Sequence, residues 1–79
     1  MNVKTMKTVL KSTTISALYC YRDVHGRMME YRRRMVVKLD HSESLTSWNN
    51  CDRVVDACER FVQGGKFQHL IEYTPVSQF

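Results

Sequence analysis

Three consecutive arginines, Arg32, Arg33 and Arg34, sit at the centre of a basic tract that also holds Arg22, Arg27 and Lys38. Guanidinium groups form bidentate pairs with phosphates and carboxylates, so the tract is suited to holding an anion. Tyr19, Tyr21 and Tyr31 fall in the same stretch. Their rings are of the kind that stacks on nucleic-acid bases. The histidines are the candidates for proton transfer, and a phosphodiesterase reading would join His25 or His41 with Arg34. Histidines in turns and loops are common without any role, and no GxSxG elbow surrounds the cluster Ser12, Thr13, Thr14 and Ser16. The residues therefore favour a protein that is not an enzyme. Cys20, Cys51 and Cys58 show no CxxC spacing and no HxxxH accompanies them, so no metal or cofactor is expected. Cys51 and Cys58 lie two turns apart on one helix face, too far for a disulfide, and read as small apolar core residues. An odd number of thiols fits a reducing compartment.

The elements that position these residues follow from periodicity. Residues 8–22 are rich in β-branched and aromatic types, with Ile15, Ala17, Tyr19 and Tyr21 on one face. Asp23-Val24-His25-Gly26 reads as a hairpin connection, with Gly26 free to take a positive φ. On the return strand to residue 39, Met29, Tyr31, Arg33, Met35, Val37 and Leu39 share one face. Arg32, Arg34 and Lys38 share the other. Arg33 interrupts the apolar face, so it must snorkel, pair with an acid, or lie beyond the cover of the helix. A helix is expected at 45–63, with Leu45, Trp48, Cys51, Val54, Val55, Cys58, Phe61 and Val62 in one apolar stripe. Ser44 or Ser47 suits its cap and Gly64-Gly65 its stop. Trp48 and Phe61 either cover the sheet or protrude as anchors for a homodimer. Residues 66–73 alternate again, with Phe67, His69, Ile71 and Tyr73 on one face. The expected fold is α+β: one domain over residues 1–79, a three-stranded antiparallel sheet in β-β-α-β order, and one helix across one face. Sequence leaves open which hairpin strand the last strand joins.

Charge narrows the classes of function. Residues 1–21 carry three lysines and no acid, 22–38 six bases against two acids, and 39–79 three bases against six acids. A basic half joined to a mildly acidic half points to an acidic partner or to nucleic acid. No apolar run is long enough to span a bilayer, and Lys11, Ser12, Thr13 and Thr14 break any apolar stretch after the basic N-terminus, so no signal peptide is expected. Outward side chains two residues apart stand roughly 7 Å from each other, close to the phosphate spacing of a nucleic-acid strand. The residues expected to contact a partner are Arg22, Arg27, Arg32, Arg34, Lys38, Tyr19, Tyr21 and Tyr31. That partner is RNA or an acidic protein surface. The alternatives are a structural dimer with a merely solvated basic face, and a small nuclease.

Arg-Asp-Val-His-Gly-Arg turning into Met-Met-Glu-Tyr-Arg-Arg-Arg-Met, followed by a short capped helix in a compact β-β-α-β order, resembles the small accessory proteins of T-even-type phages. The resemblance spans the whole chain, is one of make-up, and carries over no functional residue. It implies an antitoxin or anti-defence protein that masks a toxin nuclease, with RNA bound alongside in some cases. It also implies the cytoplasm of a host cell as the setting.

Overall fold

The computed structural model describes residues 9–76. Thr8 of the expected hairpin and the N-terminal segment read for a signal peptide lie outside the described residues. The chain forms β1 (Leu10–Arg22), β2 (Met28–Asp40), α1 (Trp48–Phe61) and β3 (Lys66–Pro75). This is the expected α+β order, with a three-stranded antiparallel sheet arranged β2-β1-β3. β3 therefore joins β1, which becomes the central strand. Because β2 and β3 both run antiparallel to β1, they run parallel to each other. A hairpin turn cannot make such a connection, so α1 supplies the crossover and lies over one face of the sheet.

The hairpin turn follows from Asp23 and Gly26. Asp23 N–H donates to the Arg27 carbonyl at 2.9 Å, and Gly26 N–H to the Asp23 carbonyl at 3.0 Å. Asp23 Oδ1 accepts the His25 and Arg27 N–H groups, both at 2.9 Å, while Gly26 takes φ +78°. A short polar side chain that satisfies the turn's own amides, followed by a residue free to adopt positive φ, closes the connection.

The core lies where the helix covers the sheet. Ile15, Ala17 and Tyr19 of β1 and Met35, Val37 and Leu39 of β2 meet Val54, Ala57 and Cys58 of α1, with Tyr73 of β3. The fourteen residues of α1 rise about 21 Å, whereas the thirteen-residue strands of the hairpin run about 43 Å. One helix therefore covers the root of the hairpin and leaves its tip bare. That is why Met29 and Tyr31, on the face that is buried nearer the root, are exposed.

Three expectations are corrected. The helix starts at Trp48, capped by Ser47, whose Oγ accepts the Asn50 N–H at 3.2 Å. Leu45 stays in the preceding loop and packs against the core from there. Trp48 is 87% exposed and does not belong to the buried stripe. At about 100° per residue it lies roughly 120° round the helix from Val54. Finally, β3 does not alternate strictly. Two register shifts opposite Leu18/Tyr19 and Cys20/Tyr21 each insert a residue. Phe67, Leu70 and Tyr73 thereby turn toward the core, while His69 and Ile71 are exposed.

The loop between β2 and α1 is pinned from both sides. Asn50 is fully buried. Its Oδ1 accepts the Asp40 N–H at 2.8 Å, and its Nδ2 donates to the carbonyls of Asp40 at 3.0 Å and Ser44 at 2.9 Å. From the other side the Tyr73 hydroxyl donates to the Leu45 carbonyl. The Asp40 carboxylate accepts the Ser42 hydroxyl at 2.6 Å, the Ser42 N–H at 2.9 Å and the Val9 N–H at 3.2 Å. These donors, Ser42 first, hold its carboxyl below the usual carboxylate range. Gly64 takes φ +69° after the helix, and a Cβ on Gly65 would stand 2.1 Å from the Arg22 carbonyl oxygen. The chain can approach β1 this closely only without a side chain there.

Candidate partner-binding site

The two faces of the hairpin carry different chemistry. β1 and β2 pair without a register shift, so side chains alternate regularly along both. Arg32, Arg34 and Lys38 stand on the face away from the helix, and Arg33 on the helix side, as the period of two requires. Arg32 does not project freely. Its Nη2 pairs with Glu72 Oε1 at 2.7 Å and its Nη1 donates to Ser16 Oγ at 3.2 Å. Arg22 Nη1 donates to the Gly26 carbonyl at 2.8 Å, and Arg27 Nε pairs with Asp23 at 2.9 Å. The Arg27 N–H, its guanidinium and the His25 N–H hold the Asp23 carboxyl below its ordinary range. Arg34 and Lys38 are both exposed, and neither has a hydrogen bond or ion pair among the described residues.

The tyrosines stand on the opposite face from the basic row. Tyr19 and Tyr31 are cross-strand partners on the helix side, with ring centroids 6.3 Å apart, and Tyr21 lies 5.9 Å from Tyr19. Tyr19 is 2% exposed and has no free ring face for a ligand. Tyr21 is half-buried and Tyr31 is 47% exposed. The expected contact set of these tyrosines with Arg32, Arg34 and Lys38 is therefore not one surface, because the sheet itself separates the two groups.

Arg33 resolves its conflict with the apolar face by lying at the end of the helix's cover. Its guanidinium carbon stands 4.3 Å from the Phe61 ring centroid and 5.3 Å from that of Tyr31, and its Nε donates to the Tyr19 hydroxyl at 3.4 Å. Around it lies an open groove of about 610 Å³ at the hairpin tip, walled by Tyr21, Tyr31, Arg33, Phe61, Val24 and Gln63.

A second groove, of about 360 Å³, runs between the outer side of β2 and the helix. Val36, Lys38, Arg53, Asp56, Ala57 and Arg60 line it. Arg53 Nε is buried with no hydrogen-bond acceptor among the described residues. Arg53 and Arg60 lie outside the residues that sequence reading singled out. Their spacing of seven puts both on one side of the helix, and that signal acquires meaning only once β2 is known to be an outer strand.

The catalytic constellation is not assembled. His25 lies at the hairpin tip and His41 at its root, where its Nε2 is 2.7 Å from Thr13 Oγ1. At about 3.3 Å per residue His41 lies roughly 23 Å along the strand from Arg34, and His25, in the turn beyond Met28, more than about 20 Å from it. The three cysteines are free thiols, and burial pushes Cys58 up to about 11. Among the described residues no group of three His, Cys, Asp or Glu side chains is placed to hold a metal ion. No helix among them is long and apolar enough to cross a membrane. No protein-family model, no curated protein and no solved structure matches the chain.

Proposed function

We propose that this is a non-catalytic binding protein that presents its basic hairpin to an acidic protein surface. A toxin nuclease, masked as the small phage antitoxin and anti-defence proteins mask theirs in the cytoplasm, is the kind of partner this reading names. The observation that carries it is the pair Arg34 and Lys38, exposed together on a sheet face and unengaged by the protein's own acids. The separation of the tyrosines from that row argues for carboxylates over stacked bases as the counterpart. RNA is the second reading, favoured by the tip groove, where Tyr31 offers an exposed ring beside the Arg33 cation.

Fluorescence anisotropy with labelled polyglutamate and with a labelled oligouridylate, each titrated at rising salt, separates these readings. The expected result is polyglutamate binding that weakens with salt and falls about tenfold or more in Arg34→Glu/Lys38→Glu, with Tyr31→Ala unchanged. Oligouridylate binding lost on Tyr31→Ala would select RNA. Binding of neither probe, with nothing acidic co-purifying, would leave a structural subunit.

A further inference from the structure

We propose that the free edge of β2 takes up an extended, acidic segment of a partner protein as a fourth strand. The inference rests on the acidic-partner reading and names where and how that partner is held.

The hydrogen-bond phase of the hairpin locates the free groups. Asp23 N–H donates to Arg27 at the tip, and His41 N–H donates to Val9 at 2.7 Å at the root. An antiparallel ladder bonds every second residue, and no register shift interrupts this one. The odd-numbered residues of β2 therefore bond to β1. The N–H and C=O groups of Glu30, Arg32, Arg34, Val36, Lys38 and Asp40 point away from the sheet. The structure confirms this phase at one position, because the Asn50 side-chain amide both accepts from the Asp40 N–H and donates to the Asp40 carbonyl. An adjacent strand would make the same two bonds. Asn50 thus closes the edge at the root, and from Glu30 to Lys38 no described residue does.

Charge selects the occupant. A strand added here has one row of side chains in the groove beside Arg53 and Arg60 and the other row beside Arg34 and Lys38. Asp56 is the one acid lining that groove. Backbone pairing supplies affinity and alternate side chains supply specificity in this mode of recognition. A second copy of the chain would bring the same excess of cations to its own, so like-charge repulsion opposes self-pairing. Val36, 65% exposed on the same strand, offers an apolar contact in the middle of the row.

The test uses the full chain and an alternating Glu-Val octapeptide, with a Lys-Val octapeptide as control. Amide hydrogen exchange read by NMR should show Arg32, Arg34 and Val36 exchanging fast in the free protein and slowing on adding the Glu-Val peptide. Their odd-numbered neighbours should be protected in both states. Val36→Pro removes an outward N–H and leaves the β1 ladder intact, so it should weaken the Glu-Val peptide about tenfold while the odd amides stay protected. Arg53→Glu/Arg60→Glu should weaken it comparably. Peptide binding that leaves the even amides unprotected and is indifferent to Val36→Pro would overturn the edge and leave the acidic-partner reading standing. If neither this peptide nor polyglutamate binds, both fail. A dimer in sedimentation that Val36→Pro dissociates would make the occupant a second copy and overturn the proposal.

Discussion

β2 and β3 flank the same central strand, yet they present very different outer edges. β2 runs from Met28 to Asp40 in unbroken register with β1. β3 is shorter, carries two register shifts within Lys66–Pro75 and ends on a proline. Bulges twist an edge away from regular pairing and proline removes a donor, so β3 is a poor template for another strand. β2 has neither device, and its defence is charge. Charge differs from a bulge in being selective: it repels basic strands and admits acidic ones. The comparison teaches that a small sheet can be protected on one side by geometry and left conditionally open on the other.

Each outer strand is also fixed by a different contact, and breaking those contacts tests the comparison. The largest effect is expected at Asn50. Asn50→Ala leaves the buried backbone N–H and carbonyl of Asp40, and the part-buried Ser44 carbonyl, without their partner and should destabilise the fold by about 3 kcal/mol in urea denaturation. It should also extend the fast-exchanging edge of β2 to Asp40. Next comes Gly65, which sets how closely the chain entering β3 approaches β1. Gly65→Ala forces a Cβ into the Arg22 carbonyl and should cost about 2 kcal/mol, read as a lowered urea midpoint. Amide exchange in that variant should rise first along β3, leaving the β1–β2 ladder protected. The smallest effect belongs to the pair that links the two outer strands across β1, Arg32 with Glu72. The pair is half-exposed, so Glu72→Gln should cost under about 1 kcal/mol. It frees Arg32 for the basic row, and polyglutamate should bind about threefold tighter by anisotropy. Unchanged binding there would show that Arg32 lies outside the contact surface.

Much of this architecture is legible along the chain. The alternation through Met35, Val37 and Leu39, the Asp23-Val24-His25-Gly26 turn and the stripe through Val54 and Cys58 mark the hairpin and the helix. They are legible because strand and helix periods are local properties. The alternation also places Arg33 opposite Arg32 and Arg34, and Tyr31 beside Arg33. The division between basic row and tyrosines was therefore present in the pattern even though nearness in sequence pointed the other way. Trp48 misled because its spacing of three and seven residues from Cys51 and Val55 matches the stripe, although it lies roughly 120° round the helix from the buried Val54. Phe67, His69, Ile71 and Tyr73 misled because a bulge changes which residues share a face and leaves no mark in a short alternating run.

By itself the sequence determined which residues lie on which side of the two hairpin strands, and with that the α+β order and the concentration of positive charge on the hairpin. The tertiary structure alone decided that β3 joins β1, that Glu72 reaches Arg32 across the sheet, that Asn50 closes one end of the β2 edge, and that Arg53 and Arg60 line a groove beside it. The physical reason is range. Periodicity is set by the geometry of neighbouring residues, whereas these pairings depend on a crossover that brings together groups ten to forty residues apart.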